Sequence, residues 1–177
     1  MAEPAASQSQ PQPQQPNDMT SFTFGQHIIR AGHVFFKTRL SFALVNRMPI
    51  KPGHVVVCPL RKVDRFRDMT SEEVADVFNS VHVIAKALES YYGVTAISVG
   101  MQDGADAGQT VKHVHIHIVP RRKGDFKHND EIYPLMEKND HFAFDSSEAR
   151  EKRSDEDMAE EATKLRKLFS DAYTKDL

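Results

Sequence analysis

The chain has 177 residues, 27% of them charged, with a formal net charge of −2 and a single cysteine. That length suits one globular domain plus an extension, and so small a net charge gives nucleic acid or an anionic membrane no global attraction, so any phosphate affinity has to be local. Cys58 alone excludes an intrachain disulfide framework and fits a reducing compartment, while no stretch approaches the roughly 18 apolar residues needed to span a bilayer.

Residues 1–20 are expected to be a disordered extension, because Met1 to Asp18 is built from Pro, Gln, Ser and Ala without an aromatic or basic residue. The same stretch lacks the basic start and apolar run of a secretory signal, so the expected compartment is the cytoplasm, with the nucleus open as well. Order begins near Ser21-Phe22-Thr23-Phe24-Gly25. Val34–Thr38 and Ser41–Asn46 read as two strands of a hairpin on their branched and aromatic content. A Pro/Gly turn, Met48-Pro49 to Lys51-Pro52-Gly53, leads into a third strand, His54-Val55-Val56-Val57-Cys58, ended by Pro59.

Thr70-Ser71-Glu72-Glu73 is a capping box that opens the clearest helix. Val74, Val77, Phe78, Val81, Ile84, Ala85 and Leu88 share one stripe, and Gly93 is placed to end it. Val94–Gln102 returns to a strand pattern. A polar loop through Gly108-Gln109-Thr110 then feeds His113–Val119, a further predicted strand. From Pro120 to about Arg153 the pattern is weak and charged, which predicts a mobile loop over about 121–153, with Asn129 able to cap a short helix. A last helix begins at Ser154, and residues 171–177 are a tail. Antiparallel strands with one long intervening helix define an α+β domain over 21–170 rather than a parallel sheet.

The predicted strand His113-Val114-His115-Ile116-His117-Ile118-Val119 carries the chemistry. Side chains two apart share a face of a strand, so the three imidazoles line one surface and the aliphatics the other. Strand propensity accounts for Val and Ile and leaves the histidines unexplained by packing. A zinc site is one reading, with His54 as a ligand from another strand. Strand geometry opposes a single metal for the triad: at about 3.3 Å per residue the outer Cα atoms lie roughly 13 Å apart, against nitrogen distances of about 2.0–2.1 Å. Nucleophilic catalysis at phosphorus is the other reading. Neutral imidazole, with a pKa of about 6.5, is nucleophilic near pH 7; the middle histidine is best placed to attack, and its neighbours to stabilise phosphoryl charge.

The triad strand, taken with Phe24-Gly25-Gln26-His27, Leu44-Val45-Asn46-Arg47, Pro52–Pro59, Met101-Gln102-Asp103-Gly104, Gly108–Lys112 and Pro120-Arg121, resembles the histidine triad superfamily of nucleotidyl hydrolases and transferases. Within it the chain is most similar to the fragile histidine triad branch, the dinucleoside polyphosphate hydrolases called bis(5′-adenosyl)-triphosphatases. The resemblance implies a HIT-like fold, with an antiparallel sheet continued across a homodimer. The implied reaction splits diadenosine triphosphate, or the tetraphosphate, into AMP and ADP or ATP. It makes His115 the nucleophile on the α-phosphorus and His117 a contact to the phosphate or bridging oxygen, supported by His113 and His54. Asn46 matches a ribose contact and His27 a residue bordering the nucleoside. Gln102, Gly108, Gln109, Thr110 and Val111 match the phosphate and leaving-group side, and Tyr133 a tyrosine linked to phosphorylation and signalling. No protein-bound cofactor or metal is implied; Mg2+ or Mn2+ is expected with the substrate phosphates. A nucleotide-dependent signalling module with slow hydrolysis and a nucleoside phosphoramidate hydrolase stay open as alternatives.

Overall fold

A computed structural model describes residues 21–136, 152–175 and 177. The expected disordered extension and residues 137–151 of the expected loop lie outside these. Two short strands, β1 (Ser21–Phe24) and β2 (His27–Arg30), form a hairpin turning at Gly25, whose φ is +60°. Five further strands make the main sheet: β3 (Val34–Lys37), β4 (Ser41–Val45), β5 (Val55–Pro59), β6 (Ala96–Gly100) and β7 (Ile116–Arg121). Their order is β3-β4-β5-β7-β6 and every pair is antiparallel.

Between β5 and β6 runs α1 (Ser71–Tyr92). Thr70 Oγ1 accepts from the Glu73 N–H at 3.2 Å, and the Glu73 carboxylate accepts from the Thr70 N–H at 2.9 Å, so the capping box forms as its sequence requires. Arg61 grips that carboxylate with two bonds of 2.7 Å and holds its pKa down at about 2. Gly93, at φ +58°, closes the helix in the left-handed conformation. Val77, Val81, Ile84 and Leu88 are buried, whereas Phe78, expected on the same stripe, is 43% exposed and stands edge-on to Phe66. It sits about 100° round the helix from Val77, at the margin of the buried arc.

Alternation along β4 and β5 divides two cores. Ala43, Val45, Val55 and Val57 face α1, together with Ile116 and Ile118 of β7. Phe42, Leu44, Val56 and Cys58 face the β1–β2 hairpin, where Phe22, Phe24 and Ile29 cover them.

The C-terminal part departs from expectation in three places. Beyond β7, residues 122–136 are folded: Arg121 pairs with Asp125 at 2.7 and 3.0 Å, and Ile132 and Met136 pack against Val119. The short helix there, α2, covers residues 132–136 of the described chain. The preceding turn is capped by His128, not Asn129, because the Asn129 side-chain oxygen accepts from Arg121 at 3.0 Å. α3 (Asp155–Arg166) lies against β3, its Arg166 donating to the carbonyls of Ala31 and Val34 at 2.6 Å each. Residues 171–177 are not simply a tail, since α4 (Asp171–Thr174) stacks Tyr173 on Phe36 with 4.5 Å between ring centroids.

Candidate active site

The histidine segment is extended but only partly a strand. β7 starts at Ile116; upstream, the His113 N–H bonds to the Val111 carbonyl at 2.8 Å and the Val114 N–H to the Val63 carbonyl at 2.7 Å. His113 and His115 therefore precede the ladder, because the N–H groups of His113 and Val114 find loop partners before β5 and β6 can reach them. All three triad rings and His54 are fully buried.

Hydrogen bonds assign each imidazole a different task. His113 accepts from the Gly25 N–H through Nδ1 at 3.1 Å and donates through Nε2 to the Pro59 carbonyl at 2.9 Å. Both of its nitrogens are engaged with backbone, so it ties the β1–β2 turn to the end of β5. Burial, opposed by the Pro59 bond, lowers its pKa to about 4 and keeps it neutral.

His115 places Nδ1 2.7 Å from the His113 carbonyl. A carbonyl only accepts, so Nδ1 carries the proton and Nε2 is the nitrogen with the lone pair. His54 Nδ1 accepts from the Ile50 N–H at 3.1 Å, which puts its proton on Nε2; that N–H donates to His117 Nδ1 at 2.9 Å. His117 must then hold its own proton on Nε2. The pair His115 and His117, with ring centroids 5.1 Å apart, thus presents one lone pair and one donor. His54 and His117 bond to each other through nitrogens that a shared metal would have needed.

A cavity of about 350 Å³ opens beside this cluster, lined by Phe24, His27, Ile29, Leu44, Asn46 and Val56 among others. Phe24 joins it to the triad, its ring edge-on to His115 at 5.2 Å. Asn46 uses Oδ1 to accept from the Met48 N–H at 2.8 Å, which fixes the amide at the cavity wall.

On the other side, Gly100 pairs with His117 across β6 and β7. Extended by two residues, that antiparallel register brings Gln102 to the level of His115. Asp103 then anchors the loop, its carboxylate accepting from Arg65 at 3.0 and 3.2 Å and from the Phe66 N–H at 2.8 Å. Gln109 closes it: Oε1 accepts from the Gly104 N–H at 2.7 Å, while Nε2 donates to the carbonyls of Asp64 at 2.9 Å and Val111 at 3.0 Å. Gly108 has φ +88°, a left-handed conformation that glycine adopts without a Cβ penalty. Val111 turns inward against the β1–β2 core. Gln102 Oε1 and Thr110 Oγ1 are buried with no hydrogen-bond partner among the described residues, a condition costing about 1–3 kcal/mol per group unless a ligand or water supplies one. Tyr133, 63% exposed, borders a second cavity of about 640 Å³ together with Gln102.

Thus His27 and Asn46 gather on one side of the four histidines, and Gln102 with the Gly108–Val111 loop on the other. Sequence reasoning missed β2, whose four residues have a single buried aliphatic, and the contribution of α3 to the cavity through Asp155 and Met158. No local pattern signals such a long-range approach.

An antiparallel sheet that buries one histidine with its lone pair on Nε2 beside a second imidazole holding its proton on Nε2, next to a cavity, is the arrangement of a histidine-triad protein. A family model described as HIT domain matches residues 30–124. The chain is 46% identical over 157 residues to a bis(5′-adenosyl)-triphosphatase of Dictyostelium discoideum, covering 89% of this chain and 99% of that one. It is 43% identical over 153 residues to a bifunctional bis(5′-adenosyl)-triphosphatase/adenylylsulfatase FHIT of Arabidopsis thaliana, covering 85% of each. Among solved structures, the C. elegans NitFhit protein superposes with a TM-score of 0.70 at 40% identity, over 85% of this chain and 31% of that larger one. The chain belongs to the HIT domain family, in its fragile histidine triad branch.

Proposed function

We propose that this protein is a dinucleoside polyphosphate hydrolase that cleaves diadenosine triphosphate to AMP and ADP. The observation that carries the reading is the tautomer of His115: the His113 carbonyl holds Nδ1–H and leaves the nucleophilic lone pair on Nε2. Similarity to two proteins named bis(5′-adenosyl)-triphosphatases supports the choice of substrate.

In the first step His115 Nε2 attacks the α-phosphorus. The new N–P bond forms as the bridging P–O bond breaks, and the leaving nucleotide takes the electron pair. The His117 Nε2–H, held in that tautomer by His54, donates to the phosphoryl or bridging oxygen as charge builds there. In the second step water attacks the phosphorus, the N–P bond breaks, and its electron pair returns to His115 while a proton leaves with the products. Asn46 and His27 border the nucleoside, Gln102 and Thr110 contact the phosphate chain, and Gln109 shapes the loop that presents them. Mg2+ or Mn2+ enters with the substrate as counter-charge to its phosphates.

The outer edge of β6, which has no strand partner among the described residues and exposes Ala96 and Val99, supports a homodimer in which the sheet continues between subunits. A second reading, a nucleotide-dependent signalling surface, is favoured by Tyr133, which is exposed at the rim of the Gln102 cavity.

Turnover of diadenosine triphosphate with chromatographic identification of products tests the assignment. AMP and ADP in equal amounts from the wild type, and loss of turnover in His115→Asn, are expected. Near-normal turnover in His115→Asn would remove the nucleophile. Nucleotide-independent recruitment of partners by the same variant would reject the signalling reading.

A further inference from the structure

The cavity has a second polar end, remote from the histidines, whose residues have no place in the mechanism above. His117, Val56, Leu44 and Val34 lie in one row across β7, β5, β4 and β3. At about 4.8 Å between strands that row spans about 14 Å. The cavity follows it on the hairpin side, from Phe24 beside His115, over Ile29, Leu44 and Val56, to Arg30, His33, Arg47 and Asp155. Apolar walls in the middle suit a flat ring; the far end is charged.

Two features of that end demand a ligand with mixed polarity. Arg47 lies against the start of α3, its carbonyl accepting from the Arg153 N–H at 3.2 Å, and its Nε is buried with no acceptor among the described residues. A buried guanidinium N–H without an acceptor is unfavourable, and the cavity that Arg47 lines is where an acceptor can be supplied. Asp155, the first residue of α3, pairs with Arg30 at 3.1 Å and lies 3.7 Å from His33 Nε2. A carboxylate has about four lone-pair directions, so these neighbours leave it able to accept again.

We propose that Arg47 and Asp155 are specificity-determining residues that read the polar edge of the base, Arg47 donating to a ring nitrogen and Asp155 accepting from the exocyclic amine beside it. This rests on the reading of the cavity as the nucleoside pocket. The ligand class is a 6-aminopurine nucleotide, because adenine presents an acceptor nitrogen next to an N6 amine. A 6-oxopurine turns a carbonyl oxygen towards Asp155, acceptor against acceptor, and loses binding for that reason. The contacts sit too far from the phosphorus to act on the bond-breaking step, so they act on binding and on the choice of base.

The test compares diadenosine and diinosine triphosphates as substrates, and AMP and IMP as ligands by calorimetry, for wild type, Asp155→Asn and Arg47→Met. Wild type is expected to prefer adenine by roughly 10- to 100-fold in kcat/KM and in Kd, below the limit for a fully enclosed polar site because Asp155 is partly exposed. Asp155→Asn, whose amide can rotate to offer a donor, should narrow that preference at least tenfold. Arg47→Met, which keeps an apolar stem, should raise KM for the adenine substrate with kcat within about threefold. An unchanged base preference in Asp155→Asn, or no preference in wild type, overturns the proposal. Equal losses on both bases assign Asp155 a purely structural role and overturn it too. Failure of hydrolysis on every dinucleotide defeats the functional reading instead, and the AMP and IMP affinities still decide this one.

Discussion

His113 makes a quantitative link between the triad and stability. Its folded pKa is about 4, against an ordinary value of 6.5, because burial disfavours the charged ring more strongly than the Pro59 carbonyl favours it. The folded state therefore refuses a proton that the unfolded chain accepts. Above pH 6.5 both states are neutral at this site and the full stability is present; as pH falls towards 4, the unfolded state is protonated first and stability is lost. The whole window is worth about 3 kcal/mol, and about 2 kcal/mol of it is gone by pH 5. With a urea m-value of roughly 2 kcal/mol/M, that is a shift of about 1 M in the midpoint between pH 7.5 and pH 5. His113→Gln keeps an acceptor for the Gly25 N–H and a donor for the Pro59 carbonyl, yet does not titrate. Urea melts of both proteins at fixed concentration isolate His113: the variant should lose about 2 kcal/mol less than wild type over that range, whatever its absolute stability. His33, also lowered chiefly by burial, pushes both proteins the same way and cancels in the comparison. Parallel pH profiles for the two proteins would refute the reasoning.

Four further outcomes follow from geometry. His54→Leu releases the tautomer of His117, and kcat should fall by about 10²–10³ with a smaller change in KM; His54→Gln, which can still accept from Ile50 and donate to His117, should recover part of the loss in the same steady-state assay. Gly53→Ala places a Cβ 2.4 Å from the Tyr92 ring at φ +81°, so denaturant melts should show a destabilisation of at least about 2 kcal/mol. Tyr173→Ala removes the ring stacked on Phe36 and should cost about 1–2 kcal/mol by the same measurement, whereas a featureless tail would lose nothing. As pH falls from 4.5 towards 2, the unfolded chain takes up a proton at Glu73 while the folded carboxylate, held by Arg61, stays ionised, so stability is lost across that window, a loss that Glu73→Gln no longer shows in far-ultraviolet circular dichroism melts between pH 4.5 and 2.5.

What was legible in the sequence was what short-range rules control. Thr70 and Glu73 close the capping box because both partners lie within one helical turn, and Ser41–Asn46 reads as a strand from its branched and aromatic content because that strand is apolar on both faces, each of which meets a core. The extent of the triad strand was overestimated because hydropathy alternation records which side chains are buried, whereas a strand needs backbone partners, and the Val63 and Val111 carbonyls take those of His113 and Val114. The same blindness hid the order in residues 122–136. There the ion pair of Arg121 with Asp125 and the packing of Phe126 between the cations of Lys51 and Arg121 replace an apolar repeat that a pattern search could find.

The division of labour among the histidines was out of reach for a related reason. Spacing makes His113, His115 and His117 equivalent, and what distinguishes them is the atom facing each ring nitrogen: two backbone groups for His113, one carbonyl for His115, a second imidazole for His117. A lone pair and a donor side by side require opposite tautomers on neighbouring rings. The His113 carbonyl sets one and the Ile50 N–H, acting through His54, sets the other. Both determinants are main-chain atoms, so no substitution pattern confined to the triad would reveal them. The loop that delivers Ile50 to His54, including Gly53 at φ +81°, belongs to the proposed catalytic apparatus as much as the triad does.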